Sequence, residues 1–182
     1  MQIAFDNYSI APIHHKDAWR LCDFMVANER RFQQDFPETL KQNLNPTLSR
    51  IFVNDQVNSF QNKTEFLFTV KENTNRAIIG LVYVKELHKV KGQGELAYCI
   101  GYDHEGKGIT SKVVSEITAW SFNDLGLHAL QIIAHETNTA SIRIAEKNGF
   151  VYQKELPKSH RRFNGELVNM QLYQRYKSNI TV

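Results

Sequence analysis

At 182 residues, 42% of them apolar, the chain has the size of one compact domain, and a single domain over residues 1–182 is expected. A formal net charge of +3, with lysine and arginine spread along the chain, gives no case for nucleic-acid binding. Cys22 and Cys99 are too few for a disulfide framework and lack zinc-site spacing, and no segment nears the roughly 20 apolar residues of a membrane span, so a soluble, cytoplasmic protein is expected.

Residues 8–13 alternate apolar and polar side chains around Pro12, which predicts a first strand at a sheet edge. Between residues 15 and 28 the period changes: Ala18, Trp19, Leu21, Cys22, Met25 and Val26 recur at helical spacing behind Asp17. Residues 30–46 are mixed and polar and read as a loop, and residues 47–61 return to helical spacing through Leu48, Ile51, Phe52, Val57 and Phe60. Residues 66–70, a polar turn at 71–76 and residues 77–84 predict an antiparallel hairpin, extended into a meander by a strand at 95–101. In the second half, a helix over about 110–123, a strand at 129–134, a helix at 138–148 capped by Gly149, and strands at 150–153 and 167–173 follow in turn. The layout is mixed α/β: a central, mostly antiparallel twisted sheet of about seven strands flanked by four helices.

The strand ending near Ile100 runs into Glu105-Gly106-Lys107-Gly108-Ile109-Thr110 and then a helix. Glycines here allow positive φ and close approach of the backbone, so N–H groups at the helix start can receive a phosphate. The turn lacks the Gly-Lys-Ser/Thr ending of a P-loop and the third glycine of a dinucleotide-binding turn, which points to a different diphosphate. Alone, such a turn is as often plain connection geometry as a binding site.

Three segments together carry more. The glycine turn, the link Leu125-Gly126-Leu127-His128, and the run from Asn138-Thr139-Ala140-Ser141 to Ala145-Glu146-Lys147-Asn148-Gly149-Phe150 resemble the acetyl-CoA-binding core of the GNAT superfamily of N-acetyltransferases, of the RimJ/RimL type that acetylates protein N-termini. The resemblance implies the GNAT fold, acetyl-CoA as co-substrate, no metal, and an amine acceptor, either a protein N-terminus or a free small amine such as a polyamine, an amino acid or an antibiotic. A non-catalytic acyl-CoA-binding module is the alternative of another class. A monomer or a homodimer is implied, with no nucleic-acid or membrane partner. The cofactor residues it implies are Ile100, Glu105, Gly106, Lys107, Gly108, Ile109, Thr110, Asn138 and Ser141. The chain departs from the family turn, Gln/Arg-x-x-Gly-x-Gly/Ala, at Glu105 and at Thr110. An acidic Glu105 pointing at a pyrophosphate would be unfavourable, with Lys107 as a nearby offset.

Attack of an amine on a thioester needs a neutral amine and a proton for the departing thiolate. An α-amine, at a reference pKa of about 7.7 to 8.0, needs less help than a lysine side chain at about 10.4. The resemblance implies a base on or beside the strand before the glycine turn, which makes Glu95 the first candidate; Glu65 is the second, and a strand-end salt bridge is the competing reading of Glu95. Many relatives carry a tyrosine acid where this chain has Ala145, and Ser141 is the implied substitute. Asn138 also suits a helix N-cap. Tyr98 is expected to pack near the acyl group, the seven histidines show no zinc spacing, and residues 158–162 read as a basic loop.

Overall fold

The computed structural model describes residues 2–88, 90–162 and 164–178. Among these, one eight-stranded sheet runs in the order β1 (Ile3–Phe5), β2 (Tyr8–Pro12), β3 (Phe66–Glu72), β4 (Ile78–His88), β5 (Gln93–Ile100), β6 (Ala129–Ala134), β8 (Leu167–Tyr176), β7 (Val151–Arg161). All neighbours are antiparallel except β5 and β6. The expected first strand is therefore second from the edge, because a three-residue β1 precedes it. Asp6, at φ 47°, makes the tight Asp6-Asn7 turn that pairs Phe5 with Tyr8. Short polar side chains tolerate that left-handed backbone, and a three-residue strand leaves almost no pattern to read.

Six α-helices flank the sheet among the described residues: α1 (Ala18–Ala27), α2 (Glu29–Asp35), α3 (Pro37–Lys41), α4 (Pro46–Gln61), α5 (Ile109–Asn123) and α6 (Thr139–Lys147). The stretch expected as a loop holds α2 and α3. Each is too short to show an amphipathic stripe, yet Phe32 and Leu40 are buried to within 1% and 3% exposure, and these two anchors hold the segment in place. Along α1 the buried face is Leu21, Cys22, Phe24 and Met25, while Trp19 and Val26, expected inside, are exposed. Trp19 lies two residues before Leu21, about 200° around the helix, so both cannot face the sheet.

Side chains alternate across the strands and divide the core. Phe68, Val82, Leu96 and Leu130 pack with Val113, Val114 and Ile117 of α5, while Leu67, Leu81 and Cys99 pack with Leu21, Met25 and Phe52 of the α1–α4 layer. Lys71, expected in a polar turn, lies in β3 instead and is buried. A register shift between Val70 and Lys71 accompanies this, and its Nζ donates to Asp17 Oδ1 at 2.6 Å, both side chains being almost fully buried. Asp17 thus ties the start of α1 to the sheet, and its Oδ2 also accepts the His14 N–H.

What positions the site is a break in the sheet. β5 and β6 pair only from Gln93 with Ala129 to Glu95 with Gln131, whereas β5 stays bonded to β4 up to Ile100 and β6 to β8 up to Ala134. Beyond Glu95 the two parallel strands part, leaving an opening at their C-terminal ends, where open α/β sheets take ligands. The basic segment expected as a loop continues β7 through Arg161, with Lys158 in the left-handed region at φ 47°. No helix among the described residues is long and apolar enough to cross a membrane.

Candidate active site

A cleft of about 770 Å³ follows the opening between β5 and β6. One wall carries Tyr98, Asn138 and Ser141; the other carries Gln56, Glu65, Tyr83, Lys85 and Glu95, beneath α2 and α3. Tyr98 packs with the α5 and α6 core, whereas Ala97 packs with the α1–α4 layer, so Glu95, in phase with Ala97, belongs to that second face. The opening connects the two faces of the sheet.

On the α6 wall, Asn138 caps the helix: its Oδ1 accepts the Ser141 N–H at 3.0 Å, as its sequence position suggested. Ser141 Oγ donates to Tyr98 Oη at 3.0 Å, and Tyr98 Oη in turn donates to the Ser141 carbonyl at 3.2 Å. Burial pushes the Tyr98 phenol up to about 12, against a smaller opposing effect of its bond to Ser141, so it stays protonated at neutral pH. Tyr98 was expected to act by packing alone, and the structure gives its hydroxyl a partner 43 residues away.

On the opposite wall Glu95 meets Lys85 at 3.2 Å. The cross-strand register sets Lys85 directly opposite Glu95, and Phe66 opposite Val84 carries Glu65 to the other flank of Lys85. The Glu65 carboxylate accepts from Gln56 Nε2 at 2.9 Å. That bond orients the amide and turns Gln56 Oε1 away, buried with no hydrogen-bond partner among the described residues. Such an atom calls for a donor. Tyr83 shares a hydrogen bond with Thr39 of α3 at 3.2 Å, and burial raises its phenol far above the usual range.

The glycine turn lies beyond the lining of the cleft. Gly106 and Gly108 have φ 70° and 75°, and a Cβ added at either would meet nothing within 4 Å. Glycine is demanded by backbone conformation, and the space above the turn is open. Gly108 is the N-cap of α5 and no side chain caps the helix among the described residues, which leaves the first N–H groups of a 15-residue helix pointing at that space. Ile109 is buried in the core, Thr110 is half-buried in the first turn, and Lys107 is exposed. The Ile100 side chain is core, and its carbonyl accepts from Arg31 Nη1 at 3.1 Å. Arg31 also forms an ion pair with Glu105. The acidic side chain at the head of the turn is therefore paired with a cation from α2. Arg31 and Gln56 are residues that sequence reasoning missed; Arg31 stands in a stretch without pattern, 69 residues from Ile100, and no local signal could have found it.

A sheet opened between two parallel strands, with a left-handed glycine turn leading into a helix at the open end, is the architecture of an acetyltransferase domain. Residues 9–151 match the family described as Acetyltransferase (GNAT) domain, and the chain belongs to that family. Among solved structures it is similar to the ribosomal-protein-S5-alanine acetyltransferase from Vibrio fischeri, with a TM-score of 0.93, 20% identity and 100% of both chains covered. It is also similar to RimL, a ribosomal L7/L12 alpha-N-protein acetyltransferase in complex with coenzyme A, with a TM-score of 0.89, 14% identity, and 97% and 98% covered. At these identities the likeness is one of fold. Among curated relatives, an uncharacterized N-acetyltransferase, p20, from Bacillus licheniformis is 27% identical over 62% of this chain and 61% of its own length. A spermidine N(1)-acetyltransferase from Vibrio cholerae is 28% identical over 48% of this chain and 50% of its own. The chain thus spans about half to three-fifths of the length of these two relatives.

Proposed function

We propose that this protein is an N-acetyltransferase that moves the acetyl group of acetyl-CoA onto a single primary amine, the α-amino group of a protein or peptide N-terminus. The observation that carries this reading is the opening beyond Glu95, which joins an α6 wall of hydroxyls to a β4–β5 wall of carboxylates, with an anion-receiving helix start at its mouth. Acetyl-CoA fits that arrangement: its pyrophosphate needs a row of free N–H groups, which α5 offers behind Gly108, and its pantetheine arm needs unpaired strand edges, which β5 and β6 offer.

The acceptor side favours one positive charge. Of the cleft's carboxylates, Glu38 is paired with Lys41 and Glu95 with Lys85, while Glu65 has a hydrogen bond from Gln56 and no ion pair among the described residues. Arg31, Lys85 and Arg162 line the same cleft. Each of these cations is itself ion-paired, so a polyamine with three ammonium groups would find one carboxylate without an ion pair to receive it. A single α-ammonium is matched by Glu65 together with the orphan Gln56 Oε1.

In the reaction, the amine loses a proton toward the Glu65 and Glu95 side, attacks the thioester carbonyl, and forms the amide as the carbon–sulfur bond breaks. Starting from the bound ammonium, two protons leave nitrogen, one toward the carboxylates before attack and one as the amide forms, and the second ends on sulfur. Each hydroxyl of the Ser141–Tyr98 pair has a single O–H, and one of the two turns from its present acceptor to the departing thiolate and stabilises it as a hydrogen-bond donor. With its phenol near 12, Tyr98 is too weak an acid to protonate a thiolate of reference pKa about 8.5 outright, so the proton that ends on sulfur comes from the acceptor. A thiol-release assay with acetyl-CoA against peptides with free N-termini, spermidine and an aminoglycoside tests the reading. Turnover on peptides is the expected result. Turnover on spermidine alone would move the acceptor to the polyamines, and coenzyme A binding without turnover on any acceptor would make the domain a binding module.

A further inference from the structure

The family turn usually opens on Gln or Arg, and here it opens on Glu105. Arg31, carried by α2 and far away in sequence, sits on that carboxylate and on the carbonyl of Ile100 at the end of β5. We propose that Arg31 supplies from outside the motif the cation that the turn's first position lacks, and that it binds the pyrophosphate of coenzyme A. The inference rests on the acetyl-CoA reading above.

Three observations support it. First, Arg31 cancels the charge at the head of the turn: Glu105 alone would set a negative charge beside a diphosphate, and the pair is neutral. Second, a guanidinium has five N–H donors in a planar fork, and the two contacts to Glu105 and Ile100 leave donors over for phosphate oxygens. Third, Arg31 lines the acceptor cleft while touching the donor turn, and the two side chains are 34% and 42% exposed, so a ligand can reach both. Arg31 therefore links the two substrate sites. A diphosphate that draws the guanidinium away from Glu105 also pulls on α2, which roofs the acceptor wall.

Isothermal titration of the parent protein and of Arg31→Ala, Glu105→Gln and the double variant tests this, with two probes: coenzyme A, and pantetheine, which lacks the pyrophosphate. Arg31→Ala is expected to weaken coenzyme A by about tenfold, a charge-assisted hydrogen bond discounted for exposure, and to leave pantetheine within about twofold. Glu105→Gln is expected to tighten coenzyme A, since it releases Arg31, and in the double variant the loss is smaller than in Arg31→Ala because no unpaired carboxylate remains. Equal weakening of both probes would overturn the proposal by making Arg31 a merely structural residue. So would coenzyme A binding unchanged in Arg31→Ala. If Arg31→Ala fails to fold, Glu105→Gln decides alone: no tightening overturns it. A parent protein that binds pantetheine and coenzyme A equally defeats the pyrophosphate role while leaving acetyl transfer standing; one that binds neither defeats both readings.

Discussion

The two walls of the cleft are built on different principles. Apart from the Ser141–Tyr98 pair, the α6 wall and the glycine turn are made of short-range features: Asn138 caps its own helix three residues on, Gly108 caps α5 by backbone conformation, and Gly149, at φ 75°, follows the end of α6. The opposite wall and the α1–α4 layer beneath it are held by long-range pairs: Thr39 with Tyr83 and Arg31 with Ile100 at the cleft, and Lys71 with Asp17 farther along β3, separated by 44, 69 and 54 residues. A wall of local motifs tolerates change between its parts, because each part is complete in itself. A wall of distant pairs does not, because each side chain is placed by a partner that the fold must first deliver.

The largest test of that contrast is Asp17→Ala. It strands the Lys71 ammonium in a nearly dry site, and removing one partner of a buried pair costs about 3–5 kcal/mol. Urea unfolding should show the loss, and Asp17→Asn should recover little of it, since an amide cannot neutralise Lys71. A loss under about 1 kcal/mol would mean that the pair is solvated in the native protein and that the layer beneath this wall does not depend on distant partners.

Next in size is the hydroxyl pair that crosses from β5 to α6. Ser141→Ala and Tyr98→Phe should each lower kcat by about 10- to 100-fold, with KM for acetyl-CoA nearly unchanged, because the hydroxyls act as charge develops on sulfur. The double variant should be scarcely worse than either single one, since the two groups form one chain. Losses that multiply would separate the two roles and return Tyr98 to packing.

The same contrast explains what could be read from the residues alone. The hairpin of β3 and β4, the strand β6 and the helix α6 are legible because their periods and caps are local, and Gly106, Gly108, Asn138 and Ser141, the residues proposed for the donor side, stand in or beside such elements. Glu95 was legible as a residue of the cleft, but its pairing with Lys85 depends on the register of β4 and β5. Arg31, Gln56 and the hydroxyl of Tyr98 were not legible as site residues. Their meaning lies in partners 69, 9 and 43 positions away and, for Arg31, in a helix too short to announce itself.

The smallest expected effect separates the walls by pH. Burial raises the phenols of both Tyr98, on the α6 side, and Tyr83, on the β4 side, Tyr98 to about 12 against an ordinary value near 10. Between about pH 10 and 12 the unfolded chain has released the Tyr98 proton and the folded chain still holds it. Folding then binds a proton, so stability falls as pH rises through that window and is intact below it. Unfolding free energies measured from pH 8 to 11.5 should therefore bend downward above about pH 10. Tyr98→Phe and Tyr83→Phe should each flatten a similar part of the bend, because both phenols keep most of their proton in the folded chain through this window. If Tyr98→Phe leaves the alkaline slope untouched, the Ser141–Tyr98 pair is open to water in the native protein, and Tyr98 would have to be replaced by Ser141 alone as the donor to the leaving sulfur.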